Sequence, residues 1–182
     1  WSAGDHPESA RKLRAFYGVM TAGMMLLLLA QNSMVFLVGW ELMAIPAFFC
    51  VSIEDHLASA REAGWIYLIS THTGTLLLFG LFGLMAAQSG SLLLGPLSNS
   101  IPPPIRDRIF LLALGAFGLK AGLMPLHFWL PPAHASAPSH VSALMSGVLI
   151  KMGVYGIVRV VSLFSDPPMW WGGLTFALGA LS

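Results

Sequence analysis

Three side chains in this 182-residue sequence carry charge where charge is expensive: Glu41, Lys120 and Lys151 each lie near the middle of a long apolar run. Even the lower scales put an acidic or basic residue at the centre of a membrane helix at about 2.5–3.5 kcal/mol. Three at similar depth predict that they face one another or trapped water. Their chemistry suits proton transfer. Burial favours the neutral form of a carboxyl or an amine and mutual attraction favours the charged form, so a buried Glu–Lys pair is poised between the two. Separating Glu41 from Lys120, or bringing up another charge, releases a proton that Lys151 can take. The plainer alternative is a static ion pair that fixes helix register.

Prolines and histidines extend the pattern. Pro46 follows Glu41 by five residues and Pro125 follows Lys120 by five. Neither can donate to the preceding turn, which predicts helix breaks that free the carbonyls of Leu42 and Ala121. Broken helices beside midplane charges belong to transporters, although proline kinks also serve packing alone. His140 precedes Lys151 by eleven residues, three helical turns or roughly 16 Å of rise, which places both on nearly one stripe with Gly147 between them. His127 and His134 share the same proline-rich link and line the entrance to that stripe. His72 lies in Ser70-Thr71-His72-Thr73-Gly74-Thr75, a polar run inside an apolar segment that must face protein or water. Imidazole titrates near neutral pH and relays protons; each histidine taken singly also reads as a hydrogen-bonded packing residue. Haem or metal ligation by His72 with His127 lacks a recognisable ligand spacing.

Such residues need helices to hold them, and the composition supplies little else. Apolar residues make up 56% of the chain and Asp, Glu, Lys and Arg only 9%, with a mean hydropathy of +0.75. A soluble domain is roughly 25% charged. The low charge excludes an ordinary soluble enzyme, and the net charge of +1 without a basic patch excludes a nucleic-acid binder. Cys50 is the only cysteine, so neither an internal disulfide nor a thiolate zinc site can form. The expectation is an all-α, polytopic transmembrane bundle of five to six spans, without redox cofactor or metal of its own.

Segments near the 20 residues that a span needs run over Ala15–Ala30, Ser33–Ile53, Gly64–Ala87, Ile109–Leu130 and Val141–Phe164, with a sixth starting near Met169. The first is short and is expected to begin inside the charged Ala10–Arg14 stretch. Trp65, Trp129, Trp170 and Trp171 fall at span ends, where amphipathic rings favour the interface. Gly147, Gly153 and Gly156 offer the fifth span a close-packing face. Loop charge does not decide orientation: Arg11, Lys12, Arg14 and Arg61 face Arg106, Arg108 and Arg159 across the bilayer. The chain starts at Trp1 and is still apolar at Leu181-Ser182, and so reads as an internal piece of something longer.

The stretches GWELM at Gly39–Met43, GLKAGLMPLHFWLPPAH at Gly118–His134 and APSHVSALMSGVLIKMGVYG at Ala137–Gly156 resemble the antiporter-like, proton-conducting membrane subunits. These include the membrane-arm subunits of respiratory complex I, Mrp-type sodium/proton antiporter subunits and membrane-bound hydrogenases; the wording is most similar to component B of hydrogenase-4 and formate hydrogenlyase. The resemblance implies two inverted five-helix repeats, each with a broken helix. This chain would carry the first repeat over about 15–165 and the start of the second over about 168–182. By motif position the resemblance matches Glu41 to the family's helix-five glutamate, Lys120 to the lysine of its broken helix and Lys151 to the lysine of the following helix, with His140 in the histidine-bearing link. The family topology places the Arg11–Arg14 and Glu54–Glu62 loops on the cytoplasmic side of a bacterial or archaeal inner membrane.

The function so implied is a proton-translocating subunit of a redox-driven complex, of hydrogenase or NADH:quinone oxidoreductase type. Fe–S, NiFe or flavin groups are expected only in partner subunits. An Mrp-type sodium/proton antiporter subunit without redox partners, and a non-conducting membrane scaffold, are the alternatives.

Overall fold

The computed structural model describes residues 7–98 and 100–182, and among them the regular structure is helical throughout. Helices α1 (Pro7–Leu29), α2 (Ser33–Val51), α3 (Ala58–Ser89) and α4 (Pro103–Ala121) come first. A 3₁₀ turn at Leu126–Trp129 then leads into α5 (Leu130–Ser136), followed by α6 (Ser139–Leu144), a π turn at Met145–Leu149, α7 (Ile150–Val161) and α8 (Met169–Leu181). Five helical stretches are long and apolar enough to cross a bilayer, with α4 to α5 counted as one and α6 to α7 as another. The chain is an all-α polytopic membrane bundle. Its first helix does begin before the apolar stretch, at Pro7.

Glycines set the closest approaches. A Cβ on Gly23 would lie 2.5 Å from the Met43 amide nitrogen, and one on Gly39 would lie 2.8 Å from that of Leu27, so α1 and α2 touch backbone to backbone. Gly153 and Gly156 do the same for α7 on α4. A Cβ on Gly153 would lie 2.5 Å from the Phe117 carbonyl and 2.6 Å from the Ala121 nitrogen, and one on Gly156 would collide with the Phe117 ring. Without a hydrophobic drive between helices in lipid, such small-residue contacts supply the packing. Gly147 has open space around it and takes no part. Between the helices an aromatic core forms: Phe117 meets Phe36 edge-on at 5.9 Å and Trp40 at 5.5 Å, measured between ring centroids.

The link after α3 is ordered by main-chain bonds rather than by helix. Gly90, at φ 69°, ends α3 in the left-handed region. The Leu92 carbonyl accepts from Ser33 N–H and Leu94 N–H donates to Gln31, each at 2.8 Å, which pins the link to the α1–α2 turn. Leu97 N–H donates to the Leu163 carbonyl at 2.8 Å and ties the same link to the chain after α7.

Three expectations need correction. The expected break within Ile109–Leu130 is present but has another cause: Gly122, at φ 68°, turns the chain out of α4 directly after Lys120-Ala121. The residue that ends the helix is thus the glycine, three positions ahead of Pro125. Pro46 breaks nothing: it is buried within α2, which runs unbroken from Ser33 to Val51. One missing donor does not end a helix whose other turns keep their bonds and pack against α1 and α3. Finally, only Trp65 and Trp170 are exposed in the manner of interface anchors. Trp129 and Trp171 are buried, with their indole N–H groups donating to the Leu119 carbonyl at 2.7 Å and to the Asp107 carboxylate at 2.9 Å.

Candidate functional site

The site forms where α2, α3 and the end of α4 meet. Lys120 occupies the last turn of α4, where a cation also complements the helix dipole. It is 3% exposed. Its ammonium donates to the Tyr67 hydroxyl at 2.9 Å and lies 4.9 Å from the Tyr67 ring centroid and 5.7 Å from that of Trp40. Two aromatic faces with one neutral acceptor are what desolvation leaves to a buried cation that has no carboxylate in contact. Trp40, Ser70, Thr71, Gly74, Ala116, Leu119 and Trp129 close the space around it and leave no room for a water molecule.

Glu41 sits one residue beyond Trp40 on α2 and faces α3 lower down. Its carboxylate accepts from the Thr75 hydroxyl at 2.6 Å. The His72 Nε2 lies 3.8 Å from its other oxygen, with His72 half exposed and Glu41 28% exposed. At that distance the imidazole makes an ion pair once protonated, or bridges through a water when neutral. The His72 Nδ1 lies 3.0 Å from the Leu68 carbonyl, so it carries the ring proton and leaves Nε2 as the proton-accepting nitrogen. The polar run of α3 is otherwise self-satisfied. Ser70 and Thr73 hydroxyls donate to the carbonyls four residues back, at 2.7 and 2.8 Å. Such back-bonding lets hydroxyls sit within a spanning helix at low cost.

The break after α4 is built into the same site. Trp129, in the 3₁₀ turn, donates to the carbonyl of Leu119, which at the end of α4 otherwise accepts only a long 3.3 Å bond from the Gly122 N–H. Its ring meets Tyr67 edge-on, with centroids 5.4 Å apart. The break, the tyrosine and the lysine therefore form one contiguous unit.

Lys151 lies elsewhere. Its side chain is exposed on α7, and its ammonium donates to the carbonyl of Gly147 at 3.0 Å, inside the π turn. The expectation that Lys151 faces Glu41 and Lys120 is not met within this bundle. Nor do His140 and Lys151 share a stripe. The π turn at Met145–Leu149 accommodates one extra residue, which rotates everything after it by about 100° relative to an uninterrupted helix. His140 instead faces α1, with its ring 6.2 Å from that of Tyr17. The His134 Nδ1 lies 2.6 Å from the Ser142 hydroxyl and staples α5 to α6. His127, in the 3₁₀ turn, has a buried Nδ1 without a hydrogen-bond partner. Among the described residues no ion pair joins Glu41 to either lysine, and no three His, Cys, Asp or Glu side chains gather as a metal site.

The sequence model of the family described as "NADH:quinone oxidoreductase/Mrp antiporter, TM" matches residues 30–182. The chain belongs to this family. Hydrogenase-4 component B of Escherichia coli K12 is 41% identical over 179 residues, which are 96% of this chain and 26% of that protein. The chain thus spans about a quarter of that relative's length. Among solved structures, the membrane-bound sulfane sulfur reductase, an archaeal respiratory membrane complex, superposes with a TM-score of 0.82 at 24% identity, over 91% of this chain and 35% of its own. The Mrp complex from Dietzia sp. superposes at 0.77 with 26% identity, over 85% of this chain and 17% of its own. The first of these likenesses speaks to fold alone.

As a member of the NADH:quinone oxidoreductase/Mrp antiporter family, the chain is an integral membrane protein related to subunits of larger membrane complexes. Sequence reasoning singled out Glu41, Lys120 and His72 but missed Tyr67, Thr75, Trp129 and Gly122. Thr75 was in plain view within the polar run. Tyr67 and Trp129 carry no signal that separates them from ordinary aromatic packing.

Proposed function

We propose that this chain is part of a proton-translocating membrane subunit of a redox-driven complex. Protons move along an axis through Glu41, Lys120 and Lys151, with His72, His127, His134 and His140 as relay groups. Electron transfer takes place on cofactors held by partner subunits, of hydrogenase or NADH:quinone oxidoreductase type. In this reading residues at about 15–165 form the first five-helix repeat, and those at about 168–182 open the second. The observation that carries the reading is Lys120 itself. It is a buried lysine at the end of an interrupted membrane helix, held by one neutral hydroxyl, with a carboxylate and an imidazole on the adjoining helices. With no carboxylate in contact, its ammonium is held by one hydroxyl and two aromatic rings. That separates it from a register-fixing ion pair.

Lys120 is the central carrier of the axis. Lys151, exposed on α7, receives its proton only where further protein covers that face. The relatives being roughly four times longer supports such a cover.

The test is proton uptake by inverted vesicles that carry the full-length protein in its complex. Uptake that starts on addition of electron donor, collapses with an uncoupler and is absent from vesicles lacking this subunit supports the proposal. The likeness to the Mrp complex favours one second reading, a sodium/proton antiporter subunit without redox partners. Sodium-dependent proton exchange without any electron donor would establish that reading and displace the first.

A further inference from the structure

The charge pair at the heart of the site is open, and a single helix supplies the partners of both its members. Lys120 bonds to Tyr67, and Glu41 bonds to Thr75 and faces His72; all three partners lie on α3. Tyr67, Thr71 and Thr75 are spaced four residues apart, so the two hydroxyl partners belong to one stripe of α3 with about 12 Å of rise between them. Lys120 reaches for the upper end of that stripe and Glu41 for the lower. The gap is short in the fold, because Glu41 directly follows Trp40, whose ring centroid lies 5.7 Å from the Lys120 ammonium.

Tyr67 is not free to choose its position. It is fully buried and packs edge-on against Trp129, whose indole is tied to the carbonyl preceding Lys120. The broken segment therefore touches both the tyrosine ring and the carbonyl next to the lysine.

We infer that α3 is a keeper helix: Tyr67 is a positioning residue that holds Lys120 away from Glu41, while Thr75 and His72 hold Glu41, and the pair closes only by exchanging these partners. The inference rests on the proton-path reading above. It assigns Tyr67 and Thr75 a part in timing the transfer rather than in carrying the proton. A hydrogen bond to a charged group in a site closed to water is strong enough to hold such a state.

The test uses the full-length protein in its complex, with two readouts: donor-driven proton uptake, and the infrared bands of the Glu41 carboxylate, identified by their loss in Glu41→Gln. Tyr67→Phe keeps the ring against Trp129 and removes only the hydroxyl. Uptake is expected to fall about tenfold while electron transfer continues. The Glu41 bands are expected to shift as Lys120 moves onto the carboxylate, and that shift should vanish in Tyr67→Phe combined with Lys120→Ala. Unmoved Glu41 bands in Tyr67→Phe overturn the inference, whatever the uptake rate. If Tyr67→Phe does not assemble, Thr75→Val frees the other member of the pair and is judged by the same Lys120-dependent band shift. Lys120→Ala alone with wild-type uptake would instead refute the proton-path reading.

Discussion

Lys120 and Lys151 are the same residue type at similar depth in neighbouring spans, yet the fold treats them in opposite ways. Lys120 is enclosed by aromatic rings and tied to a side chain of another helix. Lys151 lies exposed on α7 and bonds only to its own helix, at Gly147. The two sites are nonetheless joined mechanically, since α7 packs through Gly153 against Phe117 and Ala121, either side of Lys120. The contrast shows that a lysine inside an apolar span can be enclosed by its own bundle or left exposed on it, and that sequence position alone does not say which. One lysine finds its partners within this bundle. The other is exposed, and in the proposed reading further protein covers it, since an exposed ammonium at bilayer depth is otherwise costly.

The largest effect is expected from unlocking the two helices. Gly153→Val drives a branched side chain into the backbone of α4, and overpacking of this kind costs about 3 kcal/mol. Thermal unfolding in detergent should show a lower midpoint, and Lys120 and Lys151 should lose their contrast in accessibility to amine-modifying reagents.

Removing one charge at a time sharpens the comparison. Lys120→Met replaces a buried ammonium by an apolar chain of similar length, and so removes a desolvation cost of roughly several kcal/mol against the loss of one hydrogen bond, to Tyr67. Its unfolding midpoint should therefore rise while proton uptake is lost, which separates function from folding in one variant. A fall in the midpoint would mean that Lys120 is there to hold helices together. Trp129→Phe keeps an aromatic ring near Tyr67 but leaves the Leu119 carbonyl without its indole donor. A loss of about 1 kcal/mol is expected, together with faster hydrogen exchange at the last turn of α4. Lys151→Met should lower the stability of this region by no more than about 0.5 kcal/mol, because its bond within this bundle is to its own helix. A larger loss would show that Lys151 has a partner outside the bundle described here.

How much of this could be read beforehand follows from the same physics. Apolar run length gave the spans, because every buried main-chain group in a bilayer must be bonded within a helix. Charges inside those runs gave Glu41 and Lys120. The break was legible as a place but not as a cause: Pro125 drew attention, while Gly122, in the left-handed region, ends the helix. Pro46, equally conspicuous, ends nothing. The π turn at Met145–Leu149 left no mark in residue type, and it moves His140 and Lys151 off the stripe that their spacing predicts. Tyr67 was hidden for a different reason. An aromatic residue in an apolar helix is ordinary, and only the approach of α4 makes its hydroxyl the acceptor for Lys120.

The most direct test of the central claim is the number of protons taken up per electron transferred, measured in inverted vesicles with the full-length protein in its complex, for wild type and Lys120→Ala. A proton path through Lys120 predicts that the ratio collapses toward zero while electron transfer remains measurable. An unchanged ratio would contradict it and return Lys120 to a packing role.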